Sequence, residues 1–484
     1  MRTTTSSPEG LALQLAALTL SVARGPLPDE AVEAARRLVQ HAFGVAAASS
    51  ALPVSAIVRE AAGHAPGPCL MFGSAASHVA QDAAFANGAT GHASLLEDSG
   101  PGGLACGSHP GTYVFPAALA AAQERNASGM DLLRAVCAAY EAVDTLGLLM
   151  PSEVTQRGFR AVSVLGPFGA VAAAGVLYGL NSRQLAAAYG IASNLAGGLN
   201  QGFVDGTMEP YLHPAFAARN GLLAARLSQA GASASPRSLE GERGFFAAFA
   251  GRGPLAGSIG AVAASDAATQ GVADGAGGQS RGLAVCRVGA KDYATCLYNQ
   301  GTLALIARSF ARPFAAGEIV HATLSRPASG LHGVFAPGVA EMPAQGNALQ
   351  LQMSARFTAA AALLGRPVDS AAWFGQAMHD SQACALAQAM ELVTHDSPGI
   401  RIVLSLRDGR RESAEAGAGS ALVFSSERVA AAFVERVRPL LGDRTGKAAT
   451  LLGELAQLPS LEGLASLFKI DNANASRHQP RRSA

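Results

Sequence analysis

Lysine is almost missing from this chain. Among 36 basic residues only three are lysines: Lys291, Lys447 and Lys469. A buried lysine can shed its proton and an arginine effectively cannot. A lysine that survives in so arginine-rich a sequence is therefore a candidate for a role arginine cannot fill, and Lys291 is the first to consider. Charge of any kind is also sparse, at 15% of residues with a net of +1. Without a basic stripe or an acidic block, neither nucleic acid nor a membrane surface is expected as a partner. The six cysteines are scattered and form no C-x-x-C pair. That pattern excludes a disulfide framework and a structural zinc site, and it fits reduced thiols in a cytoplasm. No stretch reaches the roughly 18 apolar residues of a membrane span. The apolar run 11–22 contains Gln14 and lacks a cleavage site, so it reads as an amphipathic helix rather than a signal core. Walker A, G-x-S-x-G, H-E-x-x-H and strand-borne G-x-G-x-x-G motifs are all lacking. Nucleotide use, serine hydrolysis and hydride transfer thus have no motif support.

What is present is apolar and helical. Hydrophobic residues make up 49% of 484 positions, enough for a large core in two or three domains. Pro28-Asp29-Glu30 starts a helix with Val32, Ala35, Leu38, Val39, Ala42 and Phe43 at helical spacing. Ser128 and Asp131 open another, and 182–196 and 215–230 read as helices. Their alanine-rich faces point to burial among other helices. A Gly-rich linker reading falls on 274–281. Beyond it the pattern changes: a strand over 318–324, helices over 353–364 and 380–393, and a strand over 401–406 that ends in the hairpin signal Asp408-Gly409. Ser425-Ser426-Glu427 caps a last amphipathic helix. The expected fold is mainly α with an α+β lid. It divides into a helical main domain (1–282), a smaller α/β domain (283–424), C-terminal helices returning to the helical domain (425–470) and a disordered tail (471–484).

Four segments carry polar chemistry. The first runs from Asn87-Gly88 through His92 and Glu97-Asp98-Ser99 to Ser108-His109-Pro110, with a Gly-rich loop between. Two acids and two histidines around such a loop suit a small ligand, although a surface loop with a capping Asp would look similar. The second is Arg157-Gly158-Phe159-Arg160 before an Ala-rich helix. Arg160 is either a surface arginine or a bidentate clamp for a carboxylate. The third is Glu209-Pro210-Tyr211-Leu212-His213-Pro214, whose histidine on its own could be a core residue. The fourth is Lys291-Asp292-Tyr293-Ala294-Thr295-Cys296, where Cys296 reads as a packed thiol.

In order and spacing these segments resemble the MmgE/PrpD family, which includes 2-methylcitrate dehydratase and cis-aconitate decarboxylase. The resemblance covers 11–438. It rests on Asn87-Gly88, His92, Glu97-Asp98-Ser99, Ser108-His109-Pro110, Arg157-Gly158-Phe159, His213, Leu239-Glu240-Gly241 and Lys291-x-Tyr293. The chain departs from the family pattern at three positions: Leu95 stands for an acid, Arg160 for a histidine and Pro210 for a lysine. The resemblance implies a helical main domain, an α/β lid, a site between them, a homodimer, and no required metal or organic cofactor. It makes His109 and Lys291 active-site residues.

The expected activity is dehydration of a small polycarboxylic acid of the 2-methylcitrate type. Such chemistry needs cations for the carboxylates and a group that moves a proton at carbon. Lys291 and Arg160 are expected to bind carboxylate and His109 to do acid–base work. Asp98 is expected to orient or share protons with a histidine. His213 joins the catalytic set, and Ser99, His92, Tyr211 and Glu97 line the substrate. Rival readings are decarboxylation or epimerisation of a related acid, a non-catalytic metabolite-binding protein, and metal-dependent hydrolysis through Glu97, Asp98, His92 and His109.

Overall fold

The computed structural model describes residues 10–100, 109–150, 153–255, 259, 282–327, 347–395, 399–417 and 426–470. The Gly-rich loop with Ser108, the linker 274–281, Ser425 and the tail from 471 lie outside them.

The first half folds as helices for the reasons the sequence gives. Leu11–Arg24 buries Leu11, Leu15 and Leu20 on one side. Asp29–Ser49 starts behind Pro28 with two acids in its first turn, where they suit the helix dipole. Gly129–Leu149 opens on a full capping box between Ser128 and Asp131. Ala161–Leu177 and Glu209–Gln229 pack against each other at the centre. Their approach depends on Gly221: a β-carbon there would lie 2.3 Å from that of Ala170. Glu209–Gln229 begins six residues before the expected start, because Pro210 occupies the first turn, where its missing N–H is harmless. Among the described residues no single helix is long and apolar enough to cross a membrane.

The second half builds a four-stranded sheet in the order Met390–His395, Ile319–Pro327, Gly399–Leu406, Arg411–Gly417. The first pair is parallel and the others antiparallel. Ala322, Leu324, Ile402 and Leu404 are buried on it. Gly409, at φ 88°, makes the expected hairpin turn. One expectation is corrected. The stretch 380–393 is not one helix: Asp380 caps Ser381–Ala389, after which the chain extends as Met390–His395 alongside Ile319–Pro327. Val393-Thr394 favours that extension. The helix expected over 353–364 is Ala355–Leu363, and the Ser354 hydroxyl accepts from the Phe357 amide at its start.

Two clusters of buried apolar side chains organise the molecule. One fills the helical body and takes in Phe433 and Phe468 from the C-terminal helices. The Phe468 ring lies 4.9 Å from that of Phe43 and 5.7 Å from that of Phe72. The other lies under the sheet, but it also includes Leu95, Leu96 and Tyr211 from the first half. The polar segments meet along this seam.

Candidate active site

A two-residue ladder builds the centre of the site. Asp98–Ser99 pairs antiparallel with Gly289–Ala290, Asp98 opposite Ala290. One step further, the Lys291 amide donates to the Glu97 carbonyl at 3.3 Å. This register sets the two side chains side by side, and the Lys291 ammonium bonds the Glu97 carboxylate. Both side chains are almost wholly buried, 1% and 3% exposed.

Two histidines close on the same carboxylate. His92 ends the helix Ala80–His92, and its Nδ1 lies 3.4 Å from one Glu97 oxygen. His109 precedes the helix Gly111–Glu124, and its Nδ1 lies 3.4 Å from the other. The connections are tight. Leu95 and His109 adopt positive φ, 55° and 56°, in the region side chains avoid. Strained backbone of this kind gathers at functional sites. Each turn is held by hydrogen bonds. The Leu96 carbonyl accepts from His41 Nε2 at 2.9 Å, and the Thr112 hydroxyl donates to the His109 carbonyl at 2.7 Å.

His109 also donates its Nδ1–H to the Asp98 carbonyl at 2.9 Å. A carbonyl only accepts, so this tautomer leaves the lone pair on Nε2. The Asp98 carboxylate points elsewhere. It accepts from the Tyr140 hydroxyl at 2.6 Å and from the Gly111 amide at 2.9 Å. The orienting of His109 thus falls to the backbone of Asp98, while Glu97 takes the carboxylate position beside the histidines. Ser99 is buried in the ladder opposite Gly289.

The remaining expected residues come from three further elements. Arg160 caps the helix Ala161–Leu177, is 6% exposed, and lies 4.7 Å above the Phe203 ring. His213 and Tyr211 sit in the first turns of Glu209–Gln229. The Tyr211 ring is 6.1 Å from that of His92, and its hydroxyl donates to Gln352 Oε1 at 3.2 Å. Gln352 binds across the seam, donating to the carbonyls of Ala294 at 2.8 Å and Ser94 at 3.3 Å.

Burial sets the electrostatics. It would raise the Glu97 carboxyl, but Lys291, His109 and His92 outweigh it and hold the group well below the usual carboxylate range. Burial, then Lys291, hold the His109 imidazole well below its ordinary value, and burial lowers His92 likewise. Burial, then Arg160 and His92, bring His213 down to about 3. Burial lifts Asp98 to about 6 against its bonds from Tyr140 and Gly111. Arg160 is lowered by burial to about 10 and keeps its charge at neutral pH. At pH 7 the site therefore holds one buried ion pair, three neutral imidazoles and a guanidinium. Such a set can take a proton from carbon through a neutral imidazole and hold a carboxylate on an arginine. Lys291 is engaged with Glu97, and Arg160 is a second buried cation of the site.

The sequence pointed to neither His41, Tyr140 nor Gln352 as site residues. His41 and Tyr140 lie on the buried faces of their helices and read as core. Gln352 sits in a short helix with no motif around it.

The model of the MmgE/PrpD N-terminal domain matches residues 13–257. A cis-aconitate decarboxylase-like protein of Aspergillus oryzae is 29% identical over 242 residues, 48% of this chain and 49% of that protein. A cis-aconitate decarboxylase of Aspergillus terreus is 28% identical over 234 residues, 47% of each chain. The chain spans about half the length of the curated relatives it matches.

Proposed function

The chain belongs to the MmgE/PrpD family, and from that premise we propose that it is a lyase acting on a small polycarboxylic acid. The observation that carries the reading is the buried cluster of Glu97, Lys291, His92 and His109. His109 Nε2 is the proton carrier. The Lys291–Glu97 pair fixes the imidazole cluster, and Arg160 receives a carboxylate of the substrate. Loss of water from a hydroxy acid and loss of carbon dioxide from an unsaturated acid both move a proton at a carbon beside a carboxylate, so the same groups serve either. Dehydration of a 2-methylcitrate-type acid fits the family resemblance. Decarboxylation is favoured by the names of the relatives matched over about half of the chain. The buried, water-poor setting strengthens each electrostatic contact with the bound acid.

Proton NMR in deuterated water tests this, with 2-methylcitrate, citrate, cis-aconitate and iminodisuccinate offered in turn. Loss of water, loss of carbon dioxide or deuterium incorporation at carbon is the expected result, and it names the reaction. Tight binding of an acid without turnover would instead make the protein a metabolite-binding homologue.

A further inference from the structure

Among the described residues Arg326 is a buried charge with no counter-ion. It is the eighth residue of the strand Ile319–Pro327, and it lies on the inner face of the sheet in register with Ala322 and Leu324. Alternation along a strand puts apolar residues on that face, so a guanidinium there, 4% exposed, breaks the pattern. Among the described residues no carboxylate lies within ion-pair distance of it. Its two hydrogen-bond partners among these residues are neutral: Nη1 donates to Asn299 Oδ1 at 3.2 Å, and Nη2 donates to the Tyr298 carbonyl at 2.5 Å. Its Nε is buried without a hydrogen-bond partner. Arginine does not escape the penalty by losing its proton. A buried guanidinium facing only dipoles is expensive unless something supplies negative charge.

Arg326 is linked to the site through Asn299 and Gln352. Asn299 is itself held by the Gln352 and Met353 carbonyls, at 3.4 and 3.2 Å, and the Gln352 side chain bonds Tyr211 in the site. The Cys296 thiol, three residues before Asn299, feels the charges of Lys291, Arg326 and Arg160 together. Arg160 belongs to the helical body and Arg326 to the sheet, so two guanidiniums approach one seam from opposite sides.

We propose that Arg326 is a substrate-binding residue that receives a second carboxylate, so that the acid recognised carries at least two, one on Arg160 and one on Arg326. This rests on the lyase reading and adds a specificity determinant to it. A monocarboxylate makes no contact with Arg326, and the loss of that charge-assisted bond is what discriminates against it.

Calorimetry on the full chain tests the assignment with cis-aconitate and with the monocarboxylate crotonate. Wild type should bind cis-aconitate and bind crotonate at least about tenfold more weakly, as one lost charge-assisted contact implies. Arg326→Gln should weaken cis-aconitate by about ten- to a hundredfold and leave crotonate unchanged. Arg326→Lys should recover part of the loss, because the charge returns without the fork. Cis-aconitate bound equally by wild type and Arg326→Gln would overturn the assignment while leaving the lyase reading intact. Crotonate bound as tightly as cis-aconitate by wild type would overturn it too, and that comparison decides even if Arg326→Gln does not fold. A wild type that neither binds nor turns over any acid would bring down the lyase reading itself.

Discussion

Replacing Lys291 by methionine isolates the central ion pair. Methionine keeps most of the aliphatic stem, so packing changes little and the charge is what is lost. The Glu97 carboxylate then remains buried, 3% exposed, with no cation bonded to it. Removing one partner of a buried pair costs about 3–5 kcal/mol, mostly through the stranded charge. That is a large share of the roughly 5–15 kcal/mol that holds a domain folded. With the lysine gone, burial is the dominant influence on Glu97 and pushes its carboxyl up, so the variant should take up a proton there. Urea unfolding of wild type, Lys291→Met, Glu97→Gln and the double variant at pH 7.5 forms a double-mutant cycle. The double variant should be more stable than Lys291→Met alone, because a neutral amide no longer demands a counter-ion. A Lys291→Met cost below about 1 kcal/mol, the level of an exposed pair, or a double variant no more stable than the single, would refute the idea of a buried, mutually dependent pair.

Three further outcomes are expected. Stability should fall as pH drops below about 6.5, the ordinary imidazole value. His41 and His213, both held to about 3 when folded, and His92 and His109, also lowered, take up protons there only on unfolding. Asp98, raised to about 6, opposes this with a proton that the folded state binds first. Each net proton gives a slope of about 1.4 kcal/mol per pH unit, and a urea midpoint that stays flat from pH 7 to 5 would contradict the account. Tyr140→Phe removes a bond that lowers Asp98, so the Asp98 carboxyl should rise above about 6 in a carbon-13 NMR titration, with a stability loss of about 1–3 kcal/mol in urea. Gln352→Ala deletes contacts to Tyr211, Ala294 and Ser94 at once. It should raise KM more than it lowers kcat, and steady-state kinetics on the acid identified by NMR checks this.

Much of the fold was legible because local signals agree with burial. The capping box at Ser128, the Pro28 start and the Asp408-Gly409 hairpin all stand as read. The strand Met390–His395 was missed because it follows a good helix pattern with no Gly or Pro to stop it. Pairing with a strand some 70 residues earlier, rather than local propensity, extends Met390–His395. At the site, residue types and their order pointed to His92, Glu97, His109, Arg160, Tyr211, His213 and Lys291. Their roles were not legible. That Lys291 meets Glu97 follows from a two-residue ladder between segments far apart in sequence, which no periodicity reveals. That Asp98 turns to Tyr140 follows from the packing of Gly129–Leu149. Arg326 had a signal that went unused, a charged residue in step with the apolar face of a strand.

The central claim is that His109, oriented by the Asp98 carbonyl and grouped with Glu97 and Lys291, moves the proton. The most direct measurement is kcat and KM of wild type and His109→Gln on whichever acid wild type converts. The account predicts a fall in kcat of about a hundred- to ten-thousandfold, the usual contribution of a general acid or base, with KM changed little. A variant that keeps kcat within about threefold of wild type, well under that contribution, would place the proton transfer on another residue and contradict the account.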